Sequence, residues 1–211
     1  MKIAFIGYGQ VGAPLADQLA RLGHDVSLAA NDPQSDSVKK ALVRNPALHV
    51  ATPVDAVQTA EVVFLATPFA VNEEALKPVA DRLVGKILVD CTNPVGPGLS
   101  HGLKSAQSGT ERLQVLLPQT HVVKAFSIYG FENFEDNRFP AASAKPMMMF
   151  CGRDAAAKAT VSTLIAGLGW DPVDVGGLEQ ALHLEHMTLL WIRMVRVHQH
   201  SPHLVWAKLE R

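Results

Sequence analysis

Cysteine, aromatic side chains, an excess of either charge and long hydrophobic runs are all scarce in this sequence. Its two cysteines, Cys91 and Cys151, lie about 60 residues apart with no CxxC companion, which argues against a disulfide framework and against a zinc site. Both read as small buried apolar residues. Nineteen basic residues stand against 20 acidic ones, so no long-range field draws the chain to nucleic acid or to an anionic membrane surface. The apolar share, 48%, is broken into runs of about four to eight residues, well short of the roughly 20 needed to cross a bilayer. The N-terminal MKIAFIGYGQVG passes from one lysine through a short apolar run into glycines, too little for a signal-peptide core. Cytoplasmic residence and a small-molecule ligand are the expectations, with neither nucleic acid nor membrane as partner.

What is present is regular alternation. A chain of 211 residues suggests one principal domain with a small appendage. Short apolar runs at 2–6, 25–30, 61–66, 86–91, 121–126, 147–151 and 171–175 read as buried parallel strands. Helix-period segments lie between most of them, most clearly 10–22, where Val11, Leu15, Leu19 and Leu22 form one stripe. The fold class is therefore α/β: a doubly wound, mostly parallel sheet of Rossmann type over 1–146, with a small helical or αβ extension over 147–211 that closes the substrate pocket. In that extension Asp154 is placed as the N-cap of a helix, and 178–197 reads as a last helix that is apolar on more than one face. One face would meet the sheet and another a second subunit, giving a homodimer. The segments 92–111 and 127–146, rich in Gly, Pro and Ser or irregular in pattern, read as long loops on the ligand-facing rim.

The chemistry is carried first by Gly7-Tyr8-Gly9-Gln10-Val11-Gly12, which follows a strand and opens an amphipathic helix. Gly7 permits the tight turn, Gly9 lets the backbone approach a pyrophosphate, and Gly12 lets helix and strand pack closely. The N–H groups of the first helical turn would face the anion. The end of the second strand, Ala29-Ala30-Asn31-Asp32, is equivocal between NAD and NADP, because Asn31 can donate to either group at the ribose 2′ position and Ser35, Lys39 or Lys40 could fold inward to help. Lys124 lies in an apolar strand, where a charge must be paired or emerge at the strand end; contact with cofactor or substrate is the other reading. His183 and His186, three apart on one helix, have no cysteine or clear carboxylate companion, so surface histidines are expected there and no metal.

With GYGQVG, the ATP at 66–68, TNP at 92–94, VVKAF at 122–126 and the stretch from FCGRDAAAKA through LEHMTLLWIRM, the chain resembles the NADP-dependent oxidoreductases that use the deazaflavin coenzyme F420. The resemblance covers nearly the whole chain and extends to the nicotinamide domains of six-transmembrane metalloreductases, where a flavin replaces the deazaflavin. It implies hydride transfer between NADP(H), with NAD as the other candidate, and a tricyclic deazaflavin or flavin co-substrate. It also implies roles: Tyr8 to Val11 for the pyrophosphate, Ala30 and Asn31 for the adenosine ribose, Thr67 and Pro68 along the cofactor, and Asn93, Pro94, Ala125, Phe126 and Ser127 at the nicotinamide. The family commonly has Ser-Arg where this chain has Ala30-Asn31, and Asn where it has Ser127. No catalytic side chain is expected, since the cofactors themselves carry the hydride. Two other classes share the glycine motif: reductases of small hydroxyacids or imines, and non-enzymatic NAD(P)-binding redox sensors.

Overall fold

The computed structural model describes residues 1–140 and 142–211. In chain order, β1 (Lys2–Ile6) leads through α1 (Gly12–Arg21) to β2 (Asp25–Ala29), α2 (Asp36–Arg44), β3 (His49–Ala51), α3 (Pro53–Thr59), β4 (Val62–Leu65), α4 (Asn72–Leu76) and β5 (Ile87–Asp90). A small hairpin, β6 (Val95–Gly96) with β7 (Ser100–His101), precedes α5 (Gly109–Leu116) and β8 (His121–Lys124). After α6 (Glu132–Glu135) come β9 (Met147–Gly152), α7 (Ala155–Gly167), β10 (Asp171–Asp174) and α8 (Ala181–Ile192).

Eight of these strands form one sheet in the order β10-β9-β8-β5-β4-β1-β2-β3, every neighbouring pair parallel except β8 with β9. Both faces are covered. Ile3, Phe5, Val62 and Phe64 belong to one apolar cluster, and Ala4, Ile6, Val63 and Leu65 to the other. Successive strand side chains point to opposite faces, so a strand buried on both must be apolar at every position. That is why these segments read as continuous runs and not as alternating ones. Phe5 and Phe64 stack at 4.7 Å between centroids, pinning β1 against β4.

Between β3 and β4 the chain returns to the middle of the sheet, so the connections from the carboxyl ends of β1 and β4 run in opposite directions. A crevice is left there, and ligands of open α/β sheets sit in it.

The glycine helix starts at Gly12, two residues later than the stripe suggests, because the turn itself occupies residues 7–11. β3 is new: three residues on the sheet edge are too few to show a period. The segment 92–111 is not loop throughout, since it holds the β6–β7 hairpin and the start of α5. Ser108 caps α5 by accepting from the Glu111 N–H, while the Glu111 carboxylate accepts from the Ser108 N–H. Asp154 caps α7 as expected, accepting from Ala157 N–H at 2.7 Å. Residues 178–197 divide into a 3₁₀ turn, α8 and a π-type turn, Arg193–Val197. Beyond residue 146 the chain adds β9 and β10 to the same sheet. Among the described residues no helix is long and apolar enough to cross a membrane. Cys91 and Cys151 are both buried; desolvation pushes the Cys151 thiol up to about 12, which leaves it inert near neutral pH.

Candidate dinucleotide-binding site

The three motif glycines meet three different constraints. Gly7 has φ +90°, and a Cβ there would lie 2.6 Å from the Ala66 carbonyl carbon and 2.7 Å from the Thr67 nitrogen. A Cβ on Gly12 would come within 2.1 Å of the Gly7 carbonyl oxygen, so helix and turn touch backbone to backbone. A Cβ on Gly9 would meet nothing within 4 Å and would project into open space. Of the three, Gly9 alone has no reason inside the folded chain to be glycine. The first bond of α1 runs from Ala13 N–H to the Gly9 carbonyl at 3.0 Å, which leaves the preceding N–H groups as the orphans of the helix start.

In front of this turn lies a cleft of about 620 Å³. Gly7, Tyr8 and Gly9 form its base, and Thr67 with Val71 one wall. Asn31, Asp32, Ser35 and Ser37 form the end beyond β2, where α2 starts. The Ser35 and Ser37 hydroxyls are 3.3 Å apart, and Asp32 Oδ1 already accepts from the Gln34 N–H at 2.8 Å. Gln10 faces a neighbouring groove with Lys40, which shares Tyr8, Gly9 and Ser37 with the cleft. Ala30 is buried, its N–H donating to the Ala51 carbonyl at 2.9 Å, while Pro68 is exposed and leads into the turn Phe69–Val71.

Asn93 and Ser127 meet past the carboxyl ends of β5 and β8, while the Pro94 carbonyl accepts from the Gly102 N–H and the buried Ala125 donates its N–H to the Asp90 carbonyl at 3.2 Å. Asn93 Nδ2 donates to the Ser127 carbonyl at 3.0 Å, and the Thr188 hydroxyl of α8 donates to the same carbonyl at 2.7 Å. Phe126, between them, has φ +53°, a conformation rare for a bulky residue, and is held by ring contacts to Phe64 and Phe134.

Lys124 turns inward. Fully buried, it donates to Asp90 Oδ2 at 3.3 Å, to Glu185 Oε1 at 3.4 Å and to the Thr92 carbonyl. Burial works against its ammonium, but the two carboxylates outweigh that and hold its pKa above the ordinary lysine value. Glu185 also accepts from the Gly109 N–H at 2.9 Å and meets His101 Nε2 at 2.7 Å. His101 Nδ1 accepts from the N–H groups of Leu103 and Ser105, both at 3.2 Å, which assigns the ring proton to Nε2. This buried network ties α5, α8 and the β6–β7 hairpin to the sheet. Its Asp90, His101 and Glu185 carry no sequence signal, because their partners lie tens of residues away. His183 is exposed, and His186 is exposed with its ring against that of His101. Among the described residues no group of His, Cys, Asp and Glu could hold a metal ion.

A glycine turn at the switch point of a parallel sheet, opening on a cleft of nucleotide size, defines a dinucleotide-binding protein of Rossmann type. Residues 2–94 match the family model described as NADP oxidoreductase, coenzyme F420-dependent. The crystal structure of a protein assigned as an F420-dependent NADP reductase, from Arthrobacter sp. FB24, superposes with a TM-score of 0.85 at 33% identity, covering 94% of this chain and 95% of that one. The F420-dependent NADP reductase of Methanothermobacter marburgensis is 29% identical, covering 92% of each chain. Metalloreductase STEAP3 of Rattus norvegicus is 31% identical over 89% of this chain, which spans 36% of that relative's length. The chain belongs to the family of F420-dependent NADP oxidoreductases.

Proposed function

We propose that the protein is an oxidoreductase that transfers a hydride between NADP(H) and a deazaflavin or flavin. The observation that carries this reading is Gly9, where the turn leaves room for a ligand that the fold itself does not use. In this reading Gly7 to Gly12 hold the pyrophosphate at the start of α1. Ala30 and Asn31 meet the adenosine ribose, and Thr67 and Pro68 line the cofactor. Asn93, Pro94, Ala125 and Ser127 stand at the nicotinamide, and residues 147–211 close the pocket for the tricyclic co-substrate. The two bound ring systems supply the hydride chemistry. The protein's part is to hold the reacting carbons about 3–3.5 Å apart and exclude water. The reading includes cytoplasmic residence and a homodimer, the second supported by the exposed Leu190 of α8 and Val197 of the turn that follows it.

The test is a calorimetric titration with NADPH and with NADH, then with FMN, FAD and a deazaflavin, while NADPH oxidation is followed by absorbance. A saturable second site with turnover is the expected result. Nucleotide binding without oxidation in the presence of any tricycle would favour a redox sensor and sink the proposal.

The end of the cleft that would take the ribose 2′ group is lined by the neutral Asn31, Ser35 and Ser37 together with the acidic Asp32 and, among the described residues, by no cation. Asn31→Arg is therefore expected to raise the ratio of NADP to NAD affinity about tenfold, the difference between a neutral and a charge-assisted hydrogen bond. An unchanged ratio in paired titrations would place the 2′ group elsewhere.

A further inference from the structure

A line of hydrogen bonds runs from the buried ion pairs to the wall of the cleft, and its proton directions can be read from one end. Asp90 is surrounded by donors. Its Oδ2 takes the Thr110 hydroxyl at 2.6 Å and Lys124 at 3.3 Å, and its Oδ1 takes the Thr92 N–H at 2.9 Å and the Thr92 hydroxyl at 2.7 Å. The Thr92 hydroxyl proton is thereby committed to Asp90, so Thr92 Oγ1 faces its other neighbour as an acceptor. That neighbour is Asn72, 2% exposed, whose Nδ2 lies 2.8 Å away. A donor is required at this contact, which fixes the side-chain amide with its Oδ1 on the far side. There Oδ1 accepts from the Thr67 hydroxyl at 2.8 Å. The Thr67 proton consequently points away from the cleft, and Thr67 Oγ1 can offer a ligand only lone pairs.

We propose that Asn72 is a positioning residue that makes Thr67 an obligate hydrogen-bond acceptor, and that the group meeting Thr67 is a hydroxyl of the ribose bearing the nicotinamide. This rests on the dinucleotide reading above. With the adenosine at Asn31 and the pyrophosphate at Gly9, the second ribose falls on the β5 side of the turn, the side from which the chain of bonds arrives. The Thr67 nitrogen is 2.7 Å from where a Gly7 Cβ would stand, and Thr67 lines the cleft together with Gly7, Tyr8 and Gly9. A phosphate oxygen placed there would oppose an oxygen with no proton to give. A ribose hydroxyl would donate. A threonine free to rotate would serve either group, so the relay through Asn72 turns a permissive contact into a selective one.

The experiment is calorimetry with two probes, NADP+ and adenosine 2′,5′-bisphosphate, the second lacking the nicotinamide ribose. Thr67→Val is expected to weaken NADP+ about two- to tenfold, the range of one neutral hydrogen bond, with the bisphosphate unchanged. Thr67→Ser should keep both affinities. Asn72→Ala leaves the Thr67 hydroxyl free to turn but still able to accept, so NADP+ should weaken selectively and by less than in Thr67→Val. The same is expected of Thr92→Val, which removes the acceptor that orients the amide without touching the cleft and decides the matter should Asn72→Ala fail to fold. Equal weakening of both probes in these variants would mean a structural role and overturn the proposal, as would NADP+ binding at wild-type strength. A wild-type protein that bound neither probe would overturn the dinucleotide reading itself.

Discussion

Lys124→Met is expected to lower the free energy of unfolding by about 3–5 kcal/mol, because it removes the one cation from between two buried carboxylates. Methionine fills similar volume, so the loss would not come from a cavity. Asp90 and Glu185 are almost wholly withdrawn from water, and with Lys124 gone each would keep only neutral donors: Thr92 and Thr110 for Asp90, Gly109 and His101 for Glu185. The full desolvation cost of two uncompensated carboxylates would then count against the folded state. For a chain of this size the corresponding fall in melting temperature is roughly 6–20 °C. Urea unfolding, with a thermal scan beside it, measures the effect. A midpoint within error of wild type would show that the carboxylates are relieved some other way and that the ion pairs do not hold α8 to the sheet.

The glycine turn offers the second large effect, and here the contrast between two substitutions is the informative quantity. Gly12→Ala drives a methyl group into the Gly7 carbonyl, 2.1 Å from the ideal Cβ position, and neither backbone segment can yield without disturbing the other. Both stability and nucleotide affinity are expected to fall. Gly9→Ala has free space, so the apo protein should melt as wild type does. The same methyl group stands where a pyrophosphate would approach the backbone, and NADP(H) affinity should drop at least about tenfold, or about 1.4 kcal/mol. Melting temperatures and calorimetric affinities of the pair decide the point. If Gly9→Ala bound NADPH unimpaired, the ligand would not lie against the turn.

The sequence by itself determined the α/β class, the strand positions in the sheet centre and the glycine turn, since each of these is local. Ile3 to Ile6 must be apolar at every step once both faces are covered, and that shows in four consecutive letters. The turn needs Gly7 and Gly12 at fixed spacing, and a fixed spacing is visible in a string. Lys124 was legible as an anomaly, a charge within an apolar strand, although not as one member of a set. Only the tertiary structure decided which groups answer it. Asp90 closes a strand, Glu185 sits in the middle of an apolar helix, and His101 ends a two-residue strand, at separations from Lys124 or Glu185 of 34, 61 and 84 residues. The same holds for Asn72, which in the sequence is one polar residue ahead of two glutamates and in the fold is the link between Thr67 and Thr92. Apolar burial depends on the face a residue presents, and a face follows from local period. A buried hydrogen bond depends on two particular atoms meeting within about 3 Å, and where chain segments meet is decided by the sheet order and by the loops that the fold brings over it.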